Sequence, residues 1–352
     1  MLSHQQLRDL LQQIRTPGHP SWILMVPNSI GETVIVCALA RAFIKEHGSG
    51  VTLVIRPEHR AIAEMYPDTF EKVVLLPLEA MREFTTSGFV SPWQFERDVP
   101  INTWPQQYGD GRLCKLNELW VTSGGQCGLD LIDLYRHVLR LPWGAELAPP
   151  APNAGHIRIA HQIIETHNVV PYKSVIFFPG SNTNQPAPYA FWSELARQYG
   201  KRGCRVYSNS RGAMFLPGAM PVPGTELIDL PLEAVVHVCE FAGTVVAGST
   251  GVVFPMLAHG FQGSLHVVLP EMACRDYVNF VFEECLPMNG CHRLFARDMT
   301  LDVDKLSEWL LPAEKGINHL QELARDIVDA RPSALCVDAK YLKRLAERHT
   351  RY

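Results

Sequence analysis

Three short stretches of the chain bring together residue types suited to holding an anion or approaching a ligand. One is Pro27-Asn28-Ser29-Ile30-Gly31-Glu32-Thr33. A glycine beside an acid where a helix begins lets the backbone come close to a ligand and directs Glu32 towards it. The same carboxylate could serve only to complement a helix dipole. Another is Pro179-Gly180-Ser181-Asn182-Thr183-Asn184-Gln185, whose hydroxyls and amides suit phosphate oxygens; an ordinary polar loop reads the same way. The third is Gly248-Ser249-Thr250-Gly251, at the centre of TVVAGSTGVVFPMLAHG over Thr244–Gly260. Thr244 to Ala247 is an apolar run of strand length, and Val252 onward fits a helix that stops at Gly260. A strand entering a helix through Gly, Ser and Thr offers backbone N–H groups and the positive end of a helix dipole, which suits a phosphate. A plain cap followed by core packing has the same appearance. Pro255 lacks an N–H and sits most easily in a first helical turn, which moves the helix start beyond Thr250.

An alternation of apolar strands and helices must position these turns. Leu7, Leu10, Leu11 and Ile14 share one face of a helix over 2–15, ended by Pro17, Gly18 and Pro20. Trp22–Val26 reads as a buried strand, followed by a helix from about Thr33 to Glu46, a strand over Val51–Ile55, a helix over 58–66 and a strand over Val73–Leu76. Solidly apolar strands in this rhythm indicate a parallel sheet covered on both faces. Residues 80–128 hold Trp93, Trp104, Tyr108 and Trp120 between prolines and read as loops and short elements, before a helix over Leu129–Leu141. Leu147–Asn153 (LAPPAPN) is too rich in proline for regular structure and reads as a stiff linker. Beyond it the alternation resumes, with a helix over 156–166, strands at Ser174–Phe178, Arg205–Ser208, Leu227–Leu230, Thr244–Ala247 and Leu265–Leu269, and helices at Tyr189–Arg202 and Leu232–Phe241. The expected fold is α/β, two Rossmann-like domains with parallel sheets facing across a cleft, over residues 1–150 and 151–335. All three turns follow predicted strands, and such sheets bind ligands outside the carboxyl ends of their strands.

Composition narrows the function classes. The formal charge of -4 comes without any long basic run, so nucleic acid is not expected as a partner. The 9 cysteines are scattered singly with no CxxC, which fits neither a zinc ribbon nor a disulfide framework and points to a reducing cytoplasm. The start, MLSHQQLRDLLQQIR, is amphipathic without the apolar core of a signal peptide, and no apolar run approaches the ~20 residues of a membrane span. His156, His161, His167, His237, His259 and His266 show no ligand spacing, so no metal site is expected. No GxGxxG follows the first strand, which argues against a dehydrogenase.

Taken together, the motifs resemble the ADP-heptose:lipopolysaccharide heptosyltransferases, glycosyltransferase family 9, of the glycosyltransferase-B architecture. Ser29 to Val34 is similar to that family's Gly-Asp turn, whose acid is the catalytic base. Pro179–Gln185 with Pro188, Phe191, Trp192 and Leu195 looks like its nucleotide loop and the helix after it. Leu232-Glu233, Ala242-Gly243 and Gly248-Ser249-Thr250-Gly251 look like its Leu-Glu…Ala-Gly…Ser-Asp-Thr-Gly run, whose Thr-Gly backbone holds a diphosphate.

The resemblance implies an inverting transfer of a sugar, a heptose in the family, from a nucleotide-diphosphate donor to a glycan or lipopolysaccharide-type, lipid-linked acceptor. Glu32 would be the base. Ser181, Thr183, Gln185, Ser249, Thr250 and Gly251 would hold the donor. Ser29, Gly31, Arg56 and Arg60 would meet the acceptor, although solvation is the other reading of the two arginines. The nucleotide sugar would be a co-substrate, with no further cofactor and no metal; no DxD-type acidic cluster lies near the turns. The chain departs from the family at Glu32 and Ser249, each for Asp, at Gln185 for Lys, and at Phe254 for His. Two alternatives therefore stand beside the transferase: a catalytically silent homologue that binds a nucleotide or glycan, and a sugar-nucleotide epimerase on the same scaffold. The tail reads as helical over Val303–Leu311, Gly316–Ala330 and Ala339–Arg348. Its end, 336–352, would cross back to the first domain, and Lys340, Lys343, Arg344, Arg348 and Arg351 could touch an anionic membrane surface, with solvation the default.

Overall fold

The computed structural model describes the chain except for residues 1–2, 16, 19, 28, 49, 87–94, 104–130, 143, 152, 181–188, 211–220, 249, 259–260, 262, 271–289 and 295–352. The expected tail helices, Gly260, and the site candidates Ser181, Thr183, Gln185 and Ser249 lie outside the described residues. The chain divides into two compact units, Met1–Asn153 and Ala154–Tyr352.

The first unit opens with α1 (His4–Ile14), closed at its start by a capping box between Ser3 and Gln6. Strand β1 (Trp22–Val26) leads into α2 (Ile30–His47) and then β2 (Val51–Ile55). A 3-10 turn (Pro57–His59) and the short α3 (Arg60–Glu64) follow, then β3 (Lys72–Leu75), α4 (Leu78–Thr86), β4 (Pro100–Asn102) and α5 (Leu131–Val138). The four strands are parallel in the order β3-β2-β1-β4. Every residue of β1 and β2 is buried; β1 is wholly apolar, and the one polar residue of β2, Thr52, meets the Ser21 hydroxyl at 3.2 Å. Leu7 and Ile14 of α1 pack with Ile23, Met25, Val54, Leu76, Met81 and Phe84. On α2, all residues from Val34 to Ala40 are buried, and the Phe43 ring meets the edge of Trp22 at 5.5 Å. The proline-rich stretch is tied to this unit: the Ala148 N–H donates to the Ala38 carbonyl at 2.8 Å, and the Ala151 N–H donates to the Met65 carbonyl.

The second unit runs α6 (Ala154–His167), β5 (Ser174–Phe178), α7 (Tyr189–Lys201), β6 (Arg205–Asn209), β7 (Glu226–Ile228), α8 (Leu232–Ala242) and β8 (Gly243–Gly248). After β8 come a 3-10 turn (Gly251–Val253), α9 (Phe254–Ala258), β9 (Ser264–Pro270) and β10 (Gly290–Leu294). Among the described residues, six strands are parallel in the order β10-β9-β8-β5-β6-β7. Phe177, Phe191, Trp192, Leu195 and Tyr199 form the centre of its core. Helix α8 passes into β8 without a loop, because Gly243 takes the left-handed conformation (φ 91°) as its cap. A side chain there would meet the Tyr172 Cα at 2.9 Å, so only glycine fits.

Several elements differ from expectation, beyond shifts of one to three residues such as β7 at Glu226–Ile228 for Leu227–Leu230. Helix α2 begins at Ile30 rather than Thr33, so Gly31 and Glu32 belong to its first turn instead of a loop before it. The helix expected over 58–66 is a 3-10 turn followed by five α-helical residues. Strand β10 was not anticipated, since GCHRL has no apolar run to mark it.

Candidate functional site

The turn after β1 is set by the early start of α2. Ser29 is the N-cap residue, with extended backbone, and its carbonyl accepts the Thr33 N–H at 3.1 Å. Its hydroxyl does not cap the helix; it donates to the Glu32 carboxylate. Glu32 is half-buried in the first helical turn, and among the described residues no other side chain bonds to it. Gly31 is buried and Ser29 is exposed.

The turn after β2 brings charge and a buried imidazole. Arg56 pairs with Glu58, and its Nε is buried with no partner among the described residues. Burial works against ionised Glu58, yet its backbone hydrogen bond and the Arg56 guanidinium hold the carboxyl below the usual range. His59 is 2% exposed. Its Nδ1 lies 2.8 Å from the Thr33 Oγ1. Burial first, and then the Arg56 charge, push the His59 pKa down to about 4 against a smaller opposite pull from Glu58. The ring is therefore neutral at pH 7. Arg60 points to solvent with its side chain 69% exposed and bonds to Glu64 one helical turn on. It lines a cavity of about 480 Å³ with Glu64, Tyr66, Phe70, Val73 and Leu75, to which the turn after β1 contributes nothing. The structure thus groups Ser29, Gly31, Glu32 and, through His59, the Arg56 turn, and leaves Arg60 on a separate face.

In the second unit, Thr250 is extended (φ -129°, ψ 143°), and its side chain makes no cap hydrogen bond. Gly251 opens the 3-10 turn, and the α-helical part begins at Phe254 with Pro255 in its first turn. The expectation of one helix from Val252 is thereby corrected: proline has no N–H, so the segment starts as a 3-10 turn. Phe254, where the family resemblance has His, is 7% exposed and packs inward. Gly248 runs close to the end of β5: a Cβ there would lie 3.5 Å from the Pro179 carbonyl oxygen. The turns after β5 and β8 therefore leave the sheet side by side, as the pairing of Phe178 with Ala247 requires.

Strand order gives these positions their meaning. In the first sheet β1 lies between β2 and β4, so successive strands proceed in opposite directions on its two sides. In the second sheet β5 lies between β6 and β8, and the order reverses in the same way. Open parallel sheets bind ligands outside the carboxyl end of such a reversal. The turn at 27–33 leaves one reversal, and the turns after β5 and β8 flank the other. Sequence reasoning missed His59 and Thr33; the only signal was a histidine inside the charged turn Arg56-Pro57-Glu58-His59-Arg60, which reads as surface. Of the other histidines, His156 and His266 are buried, and among the described residues no three ligating side chains gather.

No protein-family model and no curated protein matches the chain. Solved structures do. The glycosyl transferase family 9 protein from Veillonella parvula DSM 2008 superposes with a TM-score of 0.56 at 12% identity, over 88% of this chain and 98% of that one. The ADP-heptose lps heptosyltransferase II of E. coli gives 0.54 at 11% identity, over 87% and 98%. The fold is therefore that of the family 9 glycosyltransferase structures, the two-unit glycosyltransferase-B fold that the three turns led us to expect.

Proposed function

We propose that this chain is an inverting glycosyltransferase that moves a sugar from a nucleotide-diphosphate donor to a hydroxyl of a glycan or lipid-linked acceptor. The observation that carries the proposal is the coincidence of the candidate turns with the strand-order reversals of both sheets: Ser29–Glu32 at one, Thr250–Gly251 and the Pro179 turn at the other. A heptose donor is the specific form of this reading, supported by the fold shared with a heptosyltransferase.

In the proposed step the acceptor oxygen attacks the anomeric carbon and its proton passes to the Glu32 carboxylate. The bond from the anomeric carbon to the diphosphate oxygen breaks, the electron pair leaves with the diphosphate, and the configuration inverts. The backbone N–H groups of Thr250 and Gly251, with Ser181, Thr183, Gln185 and Ser249, would take up the charge on the leaving group. Arg56, paired with Glu58, would meet an anionic acceptor. The test is incubation of the full chain with a panel of nucleotide sugars and acceptors. Release of nucleotide that requires an acceptor, and that is lost in Glu32→Gln while donor binding persists, is the expected result. Donor binding without release in any combination would instead support a silent binding homologue.

A further inference from the structure

Past the last paired residues, Val26 and Ile55, the turns after β1 and β2 are joined by side chains rather than by the sheet. The Thr33 Oγ1 lies 3.0 Å from the Ser29 carbonyl oxygen and 2.8 Å from the His59 Nδ1. A carbonyl can only accept, so the single Thr33 hydroxyl proton belongs in the first contact. The second contact then needs a proton on Nδ1, which fixes the tautomer of a ring that is buried and neutral. Thr33 is fully buried and His59 nearly so, so water cannot substitute for either member. At the far end of the chain of bonds, the Ser29 hydroxyl donates to Glu32. The order is therefore His59 to Thr33 to the Ser29 carbonyl, and from the Ser29 side chain to the carboxylate.

We propose that His59 is a positioning residue for Glu32, acting through Thr33 and Ser29 to hold the first turn of α2 in the geometry that presents the carboxylate. The inference rests on Glu32 being the base of the proposed transfer. His59 touches no substrate; it aligns the residue that does. A carboxylate displaced by a fraction of a hydrogen-bond length loses alignment with the acceptor proton without losing the donor site on the other unit.

The experiment compares wild type, His59→Leu, His59→Asn, Thr33→Val and the double variant His59→Leu/Thr33→Val. The Asn amide nitrogen replaces the Nδ1 donor. Leu and Val remove their ends of the relay while keeping bulk. His59→Leu is expected to lower kcat by about tenfold to a hundredfold with the donor KM unchanged. His59→Asn restores most of that loss, and the double variant is no slower than the worse single one. A loss confined to KM, additive losses, or failure of Asn to rescue overturns the proposal; if His59→Leu does not fold, Thr33→Val carries the same comparison. An independent arm reads the ring itself by ¹⁵N NMR of histidine-labelled full-length protein, with the His59 signal assigned by its absence in His59→Asn. A proton on Nδ1 supports the relay and a proton on Nε2 overturns it. A wild-type chain that transfers no sugar removes the transferase reading, and the NMR arm still decides the relay.

Discussion

Acid should destabilise the first unit through His59, and the size of the effect can be worked out. In the unfolded chain the imidazole titrates near its ordinary 6.5; in the folded chain burial and Arg56 hold it at about 4. Above pH 6.5 both states are neutral and the group contributes nothing to pH dependence. As pH falls from 6.5 to 4, the unfolded chain takes up a proton that the folded chain refuses, so stability falls. At about 1.4 kcal/mol for each pH unit, the interval amounts to roughly 3 kcal/mol, fully lost below pH 4. That is a large part of a typical domain's stability of about 5–15 kcal/mol. The measurement is hydrogen-exchange protection of the β1 and β2 amides, which belong to the unit that holds His59, in wild type and His59→Asn from pH 7 to 4. Asn keeps a donor but does not titrate, so the ionisable groups that do not sense His59 cancel in the difference; Glu58 is coupled to His59, and that smaller contribution stays in it. The wild type is expected to lose roughly 3 kcal/mol relative to the variant across this window. Parallel curves for the two proteins would refute the reasoning, because they would mean that His59 protonates as readily folded as unfolded.

Three further outcomes are expected. Glu32→Gln should reduce transfer at least about a hundredfold with donor affinity retained, read by nucleotide release and calorimetry. Gly251→Pro should fold, since the first position of a helical turn tolerates proline and Thr250 before it is already extended. It removes one N–H from the proposed diphosphate site, so donor affinity should drop about tenfold, and an unchanged affinity would take Gly251 out of that site. Gly243→Ala should destabilise the second unit by about 2 kcal/mol or more in urea titration, because its φ of 91° is strained for alanine and the new Cβ meets Tyr172 backbone at 2.9 Å.

The fold was legible wherever burial on both faces made a strand uniformly apolar. Trp22–Val26, Val51–Ile55 and Ser174–Phe178 have the bounds their residues suggest. Helix α4 and strand β4 are among the short elements expected in the proline-broken stretch, but their types could not be read there, since Pro100 opens the strand and masks it. The start of α2 was read late because Gly31 suggests a turn, whereas here it is a buried residue of the first helical turn. Strand order has no direct trace in local pattern, so the reversals that single out the candidate turns emerged only from the pairing. The contact of His59 with Thr33 spans 26 positions and joins two residue types common on surfaces, so no local pattern could announce it.

The packing of α1 has a consequence for how the protein is made. Leu7 and Ile14 pack with Ile23, Met25 and Val54, made soon after them, but also with Leu76, Met81 and Phe84, which are synthesised long after the helix has left the ribosome. At about 5–20 residues per second, the nascent helix waits on the order of several seconds with its oily stripe unsheltered. During that time its apolar face is open to capture by a holdase, and the first unit can close only after translation has passed Phe84.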